Sequence, residues 1–144
     1  MIIRKWCNGD IERVFALEKE CFTDGWSLQN FESSFKNPTF NLLVAEENGE
    51  ILGYGAVTVV ADSADIENVA VGNSFRRGGV GSQILKSLLL LAKEKGADKV
   101  FLEVRVSNSP AMLMYLKHGF VGAYARARYY PDGEDCLVMR KDLT

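Results

Sequence analysis

This chain has one histidine, three cysteines and three prolines in 144 residues, and each scarcity removes a class of chemistry. Cys7, Cys21 and Cys136 are odd in number and widely scattered, with no Cys-x-x-Cys pair, which argues against a disulfide framework and against a zinc site. The sole imidazole, His118, stands beside Gly119 at an expected helix C-terminus, where a positive charge is favourable and a Ser-His-Asp or Cys-His site is poorly served. Basic clusters are missing beyond Arg76-Arg77 and the formal net charge is −2, so nothing supports direct nucleic-acid binding through counterion release. Long apolar runs are missing too. The stretch from Met1 to Trp6 is short for a secretory signal, and Leu88 to Ala92 is far short of a membrane span, so a cytoplasmic protein without a membrane partner is expected. No repeat, linker or low-complexity tract divides the chain. What is present, 47% hydrophobic and 25% charged residues, suits one domain over residues 1–144 with one sizeable core.

Local signals order the elements. Ile2 to Trp6 reads as a strand, and Asp10 as the N-cap of an amphipathic helix to about Phe22, with Ile11, Val14, Phe15, Leu17 and Glu18 giving its apolar face. Ser27 caps a short helix to Phe35, which Asn37-Pro38 ends. Runs at 41–46 and 51–60 flank Asn48-Gly49, a hairpin signal because both central residues of a type I′ turn need positive φ. Asp65 to Val71 is a third strand of that meander. Val80, Ile84, Leu85, Leu88, Leu91 and Ala92 recur at helical spacing, with Gly96 as the stop. Lys99 to Val106 is a strand, followed by a helix capped at Asn108 or Ser109 with Pro110 in its first turn and Gly119 at its end. A final strand pair surrounds Asp132-Gly133. The class is α/β with a mixed sheet.

The most informative segment is Phe75 to Ser82, which links the strand ending at Val71 to the helix opening at Val80. Glycines 78, 79 and 81 permit a tight turn and close approach of a ligand, and the free N–H groups of the helix's first turn aim positive partial charge at an anion. Arg76 and Arg77 add full charge. A Walker loop and a dinucleotide fingerprint are both excluded by spelling.

The order Arg76-Arg77-Gly78-Gly79-Val80-Gly81 resembles the acyl-CoA pyrophosphate loop of the GNAT superfamily of N-acetyltransferases. Ile66 to Val71 before it, Leu102 to Ser109 after the helix, and Tyr115-Leu-Lys-His-Gly-Phe120 stand in the order of that family. Together with Gly25-Trp26-Ser27 and Arg128-Tyr129-Tyr130-Pro131, they resemble the branch that acetylates the N-terminal alanine of a small-subunit ribosomal protein. The resemblance implies a mostly antiparallel mixed sheet, splayed at the cofactor site and flanked by about four helices. It implies acetyl-CoA as co-substrate, no metal, and a protein N-terminus as acceptor. Cofactor contacts are implied for Val69, Ala70, Val71, Arg76, Arg77, Gly78, Gly79, Val80, Gly81, Ser82 and Asn108, with backbone N–H of the 69–71 strand serving the oxyanion.

Two residues are implied to carry the proton transfers. Strand alternation puts Val100, Leu102, Val104 and Val106 on one apolar face and leaves Phe101, Glu103 and Arg105 on the other, so Glu103 is no core residue. By the resemblance Glu103 accepts the proton of the amine and Tyr115 donates one to the leaving thiolate, while Glu67 is a second candidate base. An N-terminal amine titrates near 7.7–8.0 and a lysine near 10.4, a difference worth about 3.4 kcal/mol in making the neutral nucleophile at pH 7, which favours an α-amine acceptor. Arg128, Tyr129 and Tyr130 are expected at the peptide entrance. Rival readings are a GNAT enzyme acting on a small amine or a protein lysine, and a non-catalytic acyl-CoA-binding module.

Overall fold

The computed structural model describes residues 1–22 and 27–143. Gly25 and Trp26 of the Gly25-Trp26-Ser27 motif lie outside the described residues. In chain order the elements are β1 (Ile2–Lys5), α1 (Ile11–Cys21), α2 (Leu28–Phe35), β2 (Phe40–Glu47), β3 (Glu50–Val60), β4 (Ser63–Val71), α3 (Val80–Glu94), β5 (Lys99–Arg105), α4 (Ser109–Lys117), β6 (Val121–Arg126) and β7 (Cys136–Asp142). They build one seven-stranded sheet of order β1-β2-β3-β4-β5-β7-β6, antiparallel at every neighbouring pair except β4 with β5.

Several boundaries follow from local chemistry. Asn48 and Gly49 take φ of 52° and 82°, which is the geometry the β2–β3 hairpin requires. The Ser27 hydroxyl accepts the Asn30 N–H at 3.1 Å and opens α2. Gly96, at φ 99°, ends α3 in the left-handed conformation that glycine adopts without strain. The start of α1 differs from expectation. A 3-10 turn at Asn8–Asp10 precedes it, and the buried Asp10 carboxylate turns back to accept the Cys7 N–H at 2.7 Å and two hydrogen bonds from the Arg4 guanidinium. Those three bonds hold it well below the usual carboxylate range, at about 2, with Arg4 as the chief cause.

Each face of the sheet has its own core. On one, α1 and α2 bury Val14, Leu17 and Phe31 against Leu42, Val44, Tyr54, Ala56 and Ala70. On the other, α3 and α4 bury Ile84, Leu85, Leu88 and Tyr115 against Val57, Ile66, Val100, Leu102 and Val104. Gly55 lets α3 come close, because a Cβ there would stand 2.5 Å from Ile84 and 2.8 Å from Leu88. Val106 departs from the expected apolar face of β5: the strand ends at Arg105, and Val106 is exposed. The α1/α2 layer stops at β4, and every residue of the edge strand β6 is exposed.

Candidate active site

Pairing between β4 and β5 runs from Ser63↔Lys99 to Ile66↔Leu102 and then stops, although β4 continues to Val71 and β5 to Arg105. On its other edge β4 remains paired with β3 as far as Val71↔Gly53. The strands therefore part after Ile66 and Leu102. Two adjoining cavities open there, of about 510 and 420 Å³, and both are lined by Ile66, Glu67, Leu102, Glu103 and Tyr129. The larger also takes in Asn108, Met114 and Tyr115 from α4, and the smaller takes in Asp65, Tyr124 and Arg126.

Glu67 owes its position to a bulge. Ala56 pairs with Asn68 and Val57 with Ile66, so Glu67 is the extra residue of β4. Its carboxyl is pushed above the ordinary range, chiefly by burial, with Asp65 and Glu103 adding to the rise and a hydrogen bond from Thr58 opposing it. Asp65 is raised by burial and then by Glu103. Three carboxylates thus crowd one stretch of cleft. Glu103 lies at the junction of the two cavities, where the Tyr129 hydroxyl donates to its Oε1 at 3.1 Å and Arg126 Nε stands 3.6 Å from its Oε2.

Tyr115 faces these carboxylates from α4. It is buried, its ring meets Phe120 edge-on at a centroid distance of 5.9 Å, and burial pushes its hydroxyl up to about 12. Asn108 Oδ1 caps α4 by accepting the Ala111 N–H at 3.3 Å, and the same residue lines the larger cavity, so the cap and a cleft-facing role coexist.

The parting of the strands also frees main-chain groups. The Gly72 N–H binds the Leu52 carbonyl at 2.9 Å, so alternation turns Ala70 toward β3 and turns Val69 and Val71 toward the gap. On that free edge the Val71 carbonyl accepts from Arg76 Nε at 3.2 Å and from the Cys21 thiol at 3.4 Å.

The glycine loop turns differently from the expectation of three permissive glycines. Its left-handed residues are Arg77, at φ 69°, and Gly79, at φ 81°. Gly78 needs no positive φ, and Gly81 lies in the first turn of α3, where a Cβ would meet Met114 Sδ at 3.4 Å. Arg76 is folded back on Val71 and Cys21. Gly79 offers no side-chain cap, so the first-turn N–H groups of Val80, Gly81 and Ser82 have no intrahelical acceptor. The Ser82 hydroxyl lies 2.5 Å from His118 Nε2. The expected favourable charge on His118 is not what the surroundings support: burial, Lys86 and Lys141 all push its imidazole toward the neutral form.

Two features escaped sequence reasoning. One is the Tyr129 contact with Glu103, which needs the β6–β7 connection folded over β5. The other is the Glu18 carboxylate, only 1% exposed, which accepts from the Tyr54 hydroxyl and from Asn68 Nδ2 at 2.9 Å. The signal for it was a charged residue at a buried register position of α1, four after Val14. Among the described residues no group of three His, Cys, Asp or Glu side chains stands together as metal ligands, and no helix is long and apolar enough to cross a membrane.

The model of the acetyltransferase (GNAT) family matches residues 11–120. A Bacillus subtilis (strain 168) protein, provisionally described as a [ribosomal protein bS18]-alanine N-acetyltransferase, is 39% identical over 132 residues, covering 90% of this chain and 87% of its own. The Escherichia coli (strain K12) [ribosomal protein bS18]-alanine N-acetyltransferase is 32% identical over 133 residues, covering 90% and 89%. The crystal structure of an Escherichia coli ribosomal-protein-S18-alanine N-acetyltransferase superposes with a TM-score of 0.92 at 29% identity, covering 99% of this chain and 94% of that one. A sheet that parts beside a glycine-turned helix N-terminus, and a family match that spans both, place this chain in the GNAT family of acetyltransferases.

Proposed function

We propose that this enzyme transfers the acetyl group of acetyl-CoA to the N-terminal α-amine of a protein, with the N-terminal alanine of ribosomal protein bS18 as its acceptor. The observation that carries this reading is the opening between β4 and β5, where Glu103, Glu67 and Tyr115 line one cavity. The bS18-alanine acetyltransferases among the relatives support the choice of acceptor.

The residues present fit acetyl-CoA. The turn of Arg77, Gly78 and Gly79 and the uncapped N–H groups of Val80, Gly81 and Ser82 suit the pyrophosphate, while Arg76 acts through the shape of the loop it ties to Val71. When bound, acetyl-CoA supplies a thioester carbonyl open to attack by an amine. The N–H groups of Val69 and Val71 face the gap, where they can stabilise charge on an acyl oxygen. Glu103, oriented by Tyr129, takes the proton of the attacking amine directly or through a water, and Glu67 stands beside it with raised proton affinity. Tyr115 stays protonated at neutral pH and offers its hydroxyl to the leaving sulfur. Full transfer from a group near 12 to a thiolate near 8.5 is uphill by about 5 kcal/mol in the empty site, so its first service is a hydrogen bond. Tyr129 and Tyr130, on the wall of the larger cavity, suit an extended peptide.

The test is acetylation of a hexapeptide beginning with alanine, beside the same peptide blocked at its N-terminus and carrying an internal lysine, and beside a polyamine, followed by thiol release and by mass. The alanine peptide should be modified fastest and at its α-amine. Faster modification of the lysine peptide or of the polyamine would reject the proposed acceptor and leave the acetyltransferase.

A further inference from the structure

Beyond the residues that turn the phosphate loop, a second set of cations gathers at the start of α3. Ser82 lies in the first turn of that helix, and its Oγ is 2.5 Å from Nε2 of His118, the residue that ends α4. Lys86 follows Ser82 by four residues on the same face of α3, about 6 Å further along the axis. From β7, Lys141 brings its Nζ to within 2.5 Å of where a Cβ on Gly119 would stand, so a glycine after His118 is what admits it. Both lysines are felt at the imidazole as like charges. Among the described residues no carboxylate forms a salt bridge with Lys86 or Lys141, whereas Arg4, Lys99, Arg105 and Arg140 all have acidic partners.

Three elements therefore converge two ammonium groups, an imidazole and a hydroxyl, with no carboxylate in salt-bridge reach of either lysine among the described residues. Mutual repulsion makes that arrangement unfavourable until an anion arrives. We propose that Ser82, Lys86, His118 and Lys141 form a monoester-phosphate subsite that takes the 3′-phosphate on the ribose of coenzyme A. The proposal rests on the acetyl-CoA reading above and adds to it. The loop N–H groups are committed to the pyrophosphate, and the cluster continues from them along α3, away from the cleft that holds the thioester. A ribose 3′-phosphate is a monoester with a second pKa near 6, so near neutral pH it carries close to two charges on three acceptor oxygens. Two lysines and a hydroxyl-bonded imidazole match that charge and those acceptors in kind.

The experiment is calorimetric titration of the protein with CoA and with dephospho-CoA, which lacks only the 3′-phosphate. It is run on the wild type, Lys86→Gln, the Lys86→Gln/Lys141→Gln pair, and Lys93→Gln as a control further along α3. CoA should bind the wild type about tenfold more tightly than dephospho-CoA, from charge-assisted contacts at a partly exposed site, and the paired substitution should reduce that ratio to below about twofold. Lys93→Gln should keep the ratio. Equal affinity for the two ligands in the wild type would overturn the proposal, as would a paired variant that weakens both ligands alike, since the lysines would then serve the pyrophosphate or the general field. A wild type that binds neither ligand would overturn the acetyl-CoA reading itself. Lys86 is exposed, so the single variant keeps the test open if the pair fails to fold.

Discussion

The single carboxylate Glu18 of α1, which meets β4 at Asn68, and the set of three formed by Asp65, Glu67 and Glu103 are treated in opposite ways. Glu18 is buried between α1 and the sheet and is met by the Tyr54 hydroxyl and the Asn68 amide. Glu67, adjacent to Asn68, sits on a bulge where β5 has drawn away, and its near neighbours include Asp65 and Glu103, which carry the same charge. Burial with hydrogen-bond partners makes the Glu18 carboxylate a structural fastening, whereas Glu67, exposed at the mouth of the cleft yet partly desolvated within it and crowded by like charges, has a raised proton affinity that equips it for proton transfer. Burial of Tyr54 itself, with the Glu18 charge beside it, raises the Tyr54 hydroxyl strongly, which keeps it a donor at all working pH values.

Substitutions should separate the two groups, beginning with the largest effect. Glu103→Gln should lower kcat/KM for the alanine peptide by about a hundredfold or more while the urea midpoint stays near that of the wild type. Glu67→Gln should lower kcat/KM less than Glu103→Gln does, because Glu67 stands beside the base and not in its place. Glu18→Ala should act the other way round. Removing the acceptor of the buried Tyr54 hydroxyl and the half-buried Asn68 amide should cost about 3 kcal/mol in chemical denaturation, and equal turnover of Glu103→Gln and Glu18→Ala per folded molecule would contradict the contrast.

A smaller effect is expected at Asp10, a satisfied carboxylate far from the cleft. Its folded pKa of about 2 lies below its ordinary value of 3.8, so its contribution is complete above the unfolded value and is lost as pH falls through the folded one. Arginine stays charged throughout, so the linkage runs through Asp10. Asp10→Asn should therefore lower stability by about 2 kcal/mol at pH 7, with the difference shrinking between about pH 4 and pH 2 in denaturation curves. The smallest effects separate neighbouring glycines. Gly79→Ala strains a left-handed residue and should cost about 1 kcal/mol and weaken CoA binding, while Gly78→Ala should do neither.

What the sequence made legible is what a few adjacent residues determine. Asn48-Gly49, Ser27, Asn108 and Gly96 each answer a local demand of the backbone, and each stands where expected. The splay between β4 and β5 came only by family resemblance, since no residue at 66 or 102 announces that pairing ends. The bulge at Glu67 depends on how β3 and β4 register, and neither strand alone specifies it. Glu18 finds Asn68 across fifty positions of chain, and Ser82 finds His118 across thirty-six. Arg76 was expected near a phosphate from its charge and from its place in the loop pattern that resembles the family's. Its position beside the free Val71 carbonyl and Cys21 gives it nearer partners.

The most direct test of the account is a comparison of wild-type, Glu103→Gln and Glu18→Gln proteins, at matched folded concentration, in acetyl transfer from acetyl-CoA to a peptide beginning with alanine. The account predicts that Glu103→Gln loses most of its turnover and that Glu18→Gln, though less stable, keeps turnover close to that of the wild type. Full activity in Glu103→Gln together with loss in Glu18→Gln would contradict it, and would place the chemistry with the buried carboxylate instead of the crowded ones.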